Sequence, residues 1–200
     1  ADDNHSTQAS FFDFDQDGDL DLYVMNHPVF FGFASVKEVQ ELIKNPEVAK
    51  SCSDNLYLNE GDGKFTQVTS TLGLQNLGYG LGLITADLNG DGWTDIYVAN
   101  DFSTPDFMYI NQKNGTFVNE IKSRTQHISY FGMGCDQVDI NRDLQPDLVV
   151  MDMTANDRIR SKTLMPSMSS ERFWGLVKVL NYPLQYMFNT LQLNQGEGQY

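Results

Sequence analysis

Three times this chain sets carboxylates and amides at one fixed spacing, and each time a strand-like run follows directly. Oxygen-bearing side chains stand at positions 1, 3, 5 and 9 of the three segments. They are Asp13, Asp15, Asp17 and Asp21; Asp87, Asn89, Asp91 and Asp95; and Asp139, Asn141, Asp143 and Asp147. Position 7 is Asp19, Trp93 or Gln145, a freedom of side chain expected where only the backbone carbonyl is used. Such a loop wraps a hard cation, and calcium, which accepts many oxygens in a flexible shell, is the natural occupant. Gly18 and Gly92 supply the sharp bend at position 6. Leu144 takes that place in the third loop and must either accept a backbone angle that favours glycine or change the turn.

These loops are not EF-hands, which need a bidentate Glu at position 12 and flanking helices. Position 12 is Val24, Val98 and Val150, inside the runs Leu22–Met25, Ile96–Ala99 and Leu148–Met151. Apolar on both faces, those runs read as strands covered on both sides. A single such segment could be a solvated acidic turn; three in the same strand context argue for metal.

A second motif keeps step with the first. Asn55–Phe65, Phe107–Phe117 and Thr190–Tyr200 align without a gap, each as two apolar runs around an Asn/Gly-rich turn, the pattern of a β-hairpin. Asp87 to Asp139 is 52 residues, and a unit of four short strands, A to D, at that period reads as a propeller blade. The expected fold is therefore all-β: a partial β-propeller of about three blades, over residues 7–78, 79–129 and 130–200. Calcium loops join strands A and B. Insertions of about 27–53 and 152–188 sit between B and C, on the face opposite the calcium loops. Each insertion carries a helix. Ser35 to Glu38 is a capping box ahead of Val36, Val39, Leu42 and Ile43, with Asn45-Pro46 as the stop. Ser169 or Ser170 caps a run from Glu171 to Leu180. The helices either pack down over the rim or shape a binding surface there.

Three blades do not close a ring, so the expectation is a fragment of a longer propeller, with the rest of the same polypeptide as its first partner. The net charge of −14 disfavours nucleic acid and anionic membrane. Eleven of the 27 acids lie in the three loops, which makes them a ligand set more than a surface property. No stretch reads as a membrane span. Cys52 and Cys135 fall on different parts of the blades, and no disulfide is expected between them.

The loops and the Asn-Leu-Tyr-Leu-Asn-Glu-Gly-Asp-Gly-Lys-Phe hairpin (55–65) resemble the FG-GAP/VCBS repeats of integrin-α-like propellers. Ser6–Ala9, Asp17–Tyr23, Met151–Met153 and Asn189–Asn194 are similar to bacterial proteins that carry these repeats before an ASPIC/UnbV domain. That resemblance implies an extracellular or cell-surface propeller that binds a ligand or mediates adhesion. It also implies calcium in the A–B loops, held by the side chains named above and by the carbonyls of Asp19, Trp93 and Gln145.

On the insertion face, strand B ends in Asn26-His27, Asn100-Asp101-Phe102 and Asp152-Met153. These are candidate ligand contacts, although Asn26, Asn100 and Asp152 could simply end the strand by bonding local amides. The ligand is a glycan or a protein; Phe102, Trp174, Tyr182 and Tyr186 would suit a glycan. The alternatives are a polysaccharide-active enzyme and a structural subunit of a surface assembly. Catalysis has little to stand on: His5, His27 and His127 are scattered, and neither a Gly-x-Ser-x-Gly elbow nor a His-Glu-x-x-His helix occurs.

Overall fold

The structure is a computed structural model that describes residues 4–28, 35–45, 47, 52–102, 104–155, 157, 159–160 and 169–200. Pro46, the expected helix stop, and parts of both insertions lie outside these residues. Two sheets contain four antiparallel strands in sequence order. The first is β1 (His5–Phe12), β2 (Asp21–His27), β3 (Asn55–Asn59) and β4 (Phe65–Gln67). The second is β5 (Gly80–Ala86), β6 (Asp95–Asn100), β7 (Phe107–Asn111) and β8 (Phe117–Asn119). A short helix α2 (Ile121–Arg124) and β9 (Ile128–Ser129) lead to the third sheet, which joins β10 (Gly132–Val138), β11 (Asp147–Asp152) and β13 (Thr190–Gln192). The acidic loops connect β1 to β2, β5 to β6 and β10 to β11, as expected of A–B loops.

The third sheet has three strands where four were expected. Gln199 instead closes the hairpin turn through its carbonyl, which accepts from Gln195 N at 2.6 Å, and Tyr200 N donates to Arg124 O at 2.7 Å. Phe117 N makes the matching bond to Leu72 O at 2.8 Å one blade earlier. Tyr200 therefore occupies the position that Phe117 holds in the preceding hairpin.

Side-chain alternation in the middle blade builds two cores at once. Ile96, Val98, Phe107 and Tyr109 face the first blade, among Phe12, Tyr23, Met25 and Leu56. Tyr97, Ala99, Met108 and Ile110 face the third, with Ile128, Leu148 and Val150. Every residue of β6 and β7 is buried as a result. This explains why those strands read as unbroken apolar runs.

The A strands β1, β5 and β10 lie side by side where the blades converge. A methyl group on Gly82 would come within 2.7 Å of Cys135 N and 2.8 Å of Gly134 Cα, so the approach of β5 to β10 needs glycine there. Each A strand also carries a bulge at one point, at Thr7, Leu81 and Met133, which the sequence reading did not anticipate. Both cysteines are free thiols.

Both insertion helices form. In α1 (Val36–Ile43) the Ser35 hydroxyl accepts from Glu38 N and the Glu38 carboxylate accepts from Ser35 N, a complete capping box. Helix α3 (Ser170–Val179) is capped by Ser169. The two helices touch, with Val36 Cγ2 filling the space where Gly175 lacks a side chain. Beneath them Leu176 packs with Tyr130, Phe131 and Phe102. Between α3 and β13, strand β12 (Gln185–Tyr186) pairs in parallel with β9. Among the described residues no helix is long and apolar enough to cross a membrane.

Candidate metal centre

The three acidic loops share one hydrogen-bond scheme. The position-9 carboxylates Asp21, Asp95 and Asp147 are buried. In each, Oδ2 accepts from the N–H at position 2: Phe14 at 3.1 Å, Leu88 at 3.0 Å and Ile140 at 2.9 Å. Each Oδ1 accepts from the hairpin Asn of its own blade: Asn59 at 2.9 Å, Asn111 at 2.8 Å and Asn194 at 2.9 Å. The loop and the hairpin turn therefore lie on one face and are tied through a single side chain. Position 5 caps position 7 in all three, as Asp17 to Asp19 N, Asp91 to Trp93 N and Asp143 to Gln145 N.

The bend is left-handed at two positions. Position 6 has φ of 94° at Gly18, 87° at Gly92 and 67° at Leu144, so the third loop keeps the turn and its leucine takes the strained angle. Position 4 is also left-handed, at Gln16 (62°), Gly90 (76°) and Arg142 (66°). That second requirement was not read from the sequence, because only Gly90 announces it.

The first loop meets the requirements of a cation most closely. One ligand oxygen from each of Asp13, Asp15 and Asp21 falls within 4.8 Å of the others. Asp13 Oδ1 is buried and accepts no hydrogen bond. Burial raises the pKa values of Asp15 and Asp21 above the usual carboxylate range. Among the described residues no Lys or Arg pairs with these acids. A desolvated carboxylate oxygen without a donor, as Asp13 Oδ1 is, is costly unless something positive shares it.

The second and third loops differ in detail. Asn89 and Asn141 replace the acid at position 3 and turn their amide nitrogens onto Asp91 Oδ2 (3.0 Å) and Asp143 Oδ2 (2.9 Å). Asp87 and Asp139 are occupied by backbone donors, among them Gly92 N at 2.8 Å and Leu144 N at 2.9 Å. In the second loop Lys113 Nζ lies 3.3 Å from Asp91 Oδ2 and donates to Asp91 O. Burial pushes Asp95 up to about 6.

The residues at the opposite ends of the B strands are built into the protein. Asn26 is fully buried, accepting from Ser6 Oγ and donating to Ser53 O. Asn100 is likewise buried and donates to Pro105 O. Asp152 accepts from Ser129 Oγ, Phe131 N and Thr154 N. Asp101 is buried, with a pKa raised by burial to about 6. His27, Tyr79, Phe102 and Phe131 form a chain of edge-on ring contacts between adjacent blades. Of these candidates, His27 and Phe102 retain some exposure and Met153 is exposed.

The sequence reading missed the partners of those strand ends. Asp54 accepts from Asn26 N and the Tyr23 hydroxyl, and Asp106 accepts from Asn100 N and the Tyr97 hydroxyl. In the third blade the pair is exchanged, and Asn189 accepts from Asp152 N at 2.8 Å. Extending the hairpin alignment by one residue would have exposed this column, since Asp54, Asp106 and Asn189 each precede strand C.

This four-stranded unit with its repeated loop defines a β-propeller repeat. Residues 48–98 and 87–150 match the FG-GAP-like repeat family, and together they span more than half of the chain, which therefore belongs to that family. No curated protein matches the chain.

Proposed function

We propose that the chain is part of a calcium-stiffened, non-catalytic binding module that works outside the cell. The reading is carried by Asp13 Oδ1, a buried oxygen without a donor inside a three-carboxylate cluster. In the first loop Asp13, Asp15, Asp17 and Asp21 would hold the ion together with the Asp19 carbonyl. Asp87, Asn89, Asp91, Asp95 and the Trp93 carbonyl would serve the second loop. Asp139, Asn141, Asp143, Asp147 and the Gln145 carbonyl would serve the third. The ion would neutralise the loop and fix strand A against strand B. Loops of this type with affinities of ~10⁻⁴–10⁻³ M suit extracellular calcium. With the metal loops on one face, ligand contact falls to the insertion face, where the ligand is a glycan or a protein.

Isothermal titration and thermal melts with calcium or EDTA test the metal reading. Binding stabilises only the folded state, so calcium should raise the melting temperature, and Asp13→Asn should remove the first loop's share of that rise. A melt identical in calcium and EDTA would refute it.

A further inference from the structure

We infer that the three loops take up their cations cooperatively, through a line of buried hydrogen bonds that joins each loop to the next; the inference rests on the calcium reading above.

The line can be followed atom by atom. In the first loop Asp21 Oδ2 accepts from Phe14 N. The carbonyl of the same Phe14 accepts from the Asn111 side-chain amide, across the boundary between blades. Asn111 gives its own backbone N–H to Asp95 Oδ1, and Asp95 Oδ2 accepts from Leu88 N. From Leu88 the pattern repeats: its carbonyl accepts from Asn194 Nδ2, and Asn194 N donates to Asp147 Oδ1. Each of these two hairpin asparagines therefore holds the preceding loop with its side chain and its own blade's ligand carboxylate with its main chain. Phe14, Asp21, Leu88, Asp95, Asn111, Asp147 and Asn194 are all buried, so water does not stand in for these bonds and the low dielectric strengthens them.

Direct contacts between neighbours run beside the line. Gln16 Nε2, at position 4 of the first loop, donates to Gly92 O, at position 6 of the second, at 2.8 Å. The third hairpin presses on the second loop, since a methyl group on Gly198 would come within 3.0 Å of Asn89 Cβ and Leu88 O.

The consequence follows from what a cation fixes. An ion drawn in by Asp13, Asp15 and Asp21 immobilises the first loop and with it the Phe14 carbonyl. That carbonyl orders Asn111, and the Asn111 N–H orients Asp95 before the second ion arrives. An ion that enters an already ordered loop loses less conformational entropy on binding, which is positive cooperativity without a change of fold. By linkage the second loop favours the first equally. Repulsion between neighbouring ions opposes the effect, but each loop brings at least three carboxylates of its own to offset the charge.

The test uses the full chain, with terbium in place of calcium and the emission sensitised by Trp93 as the readout of the second loop. Asp13→Asn lies outside that loop, yet it should weaken terbium there by about fivefold, the lower end of usual coupling between sites. Asn111→Ala keeps the backbone N–H on Asp95 and cuts the side-chain link. In that background Asp13→Asn should no longer change the affinity of the second loop, a double-mutant cycle that isolates the link. Gln16→Ala, at an exposed contact, should leave the coupling in place. Unchanged or tighter second-loop binding in Asp13→Asn overturns the inference, whatever the fate of Asn111→Ala. So does an equal weakening with and without Asn111, or coupling that Gln16→Ala alone abolishes. In each of those cases the calcium reading stands; absence of any terbium or calcium binding would refute that reading and the coupling with it.

Discussion

The side-chain amide of Asn111 donates to the main-chain carbonyl of Phe14, 97 residues earlier in the chain, at 2.8 Å. Asn194 repeats the contact one blade on, donating to Leu88 O at 3.2 Å. Position 2 of the first two loops thus uses its N–H to fix its own loop and its carbonyl to hold the next blade's hairpin. Asn111→Ala should cost about 1–3 kcal/mol, because it strands a buried carbonyl. Asn59→Ala should cost less, since its amide reaches only the exposed Leu20 carbonyl. Denaturant melts of the two variants in the same buffer measure the difference; equal losses would contradict the latch.

Lys113 acts as a tethered cation on the second loop. It holds a left-handed angle of 60° where the other hairpins have Gly61 and Gly196. Lys113→Gly should relieve that angle and free Asp91. Terbium or calcium should then bind the second loop about threefold more tightly, a modest gain because the lysine is half exposed. Trp93 lies within that loop, so its sensitised terbium emission reports this site in particular. Unchanged affinity would show that the lysine is a bystander.

Asp106 gives stability a pH dependence. Burial raises its pKa from 3.8 to about 7, and Asp54 rises to about 6 for the same reason. A folded-state value above the unfolded one gives stability that is complete below the unfolded pKa and lost as pH rises through the folded value. Asp106→Asn keeps an oxygen for Asn100 N, as Asn189 does for Asp152 in the third blade. Between about pH 5 and about pH 8 the variant should gain on the wild type by on the order of 1–3 kcal/mol. Urea melts in saturating calcium at both pH values measure this, and a gap that does not change with pH would count against it.

Leu144 is 92% exposed and left-handed at 67°. Leu144→Gly should therefore stabilise the protein, by up to about 1 kcal/mol, as strain relief outweighs the entropy glycine adds to the unfolded chain. Loss of stability in a thermal melt would mean that the leucine makes a contribution beyond its backbone angle.

The fold was legible because its signals are local and repeated. The loop spacing, the aligned hairpins and the Ser35 capping box each lie within about a dozen residues, and each describes its own geometry. What stayed hidden depends on contacts between blades. Nothing near Asn111 announces Phe14 as its partner. The Asp54–Asn26 pairing spans an insertion of variable length, and its exchange into Asp152 and Asn189 disguises the shared column. Composition places Asn26 and Asn100 among exposed residues, and only the packing of adjacent strands shows them buried. The aromatic cluster at Tyr186 was half visible: Trp174 and Tyr186 stood out singly, but the stacking of Phe173, Tyr186 and Phe188 required β12 to lie beside β9.

Because β6 and β7 lend one side of each strand to one core and the other side to its neighbour, the central sheet has no surface of its own to lose first. Its amides should be the slowest in the molecule to exchange with solvent, opening only when the whole assembly opens, while the flanking sheets breathe around it.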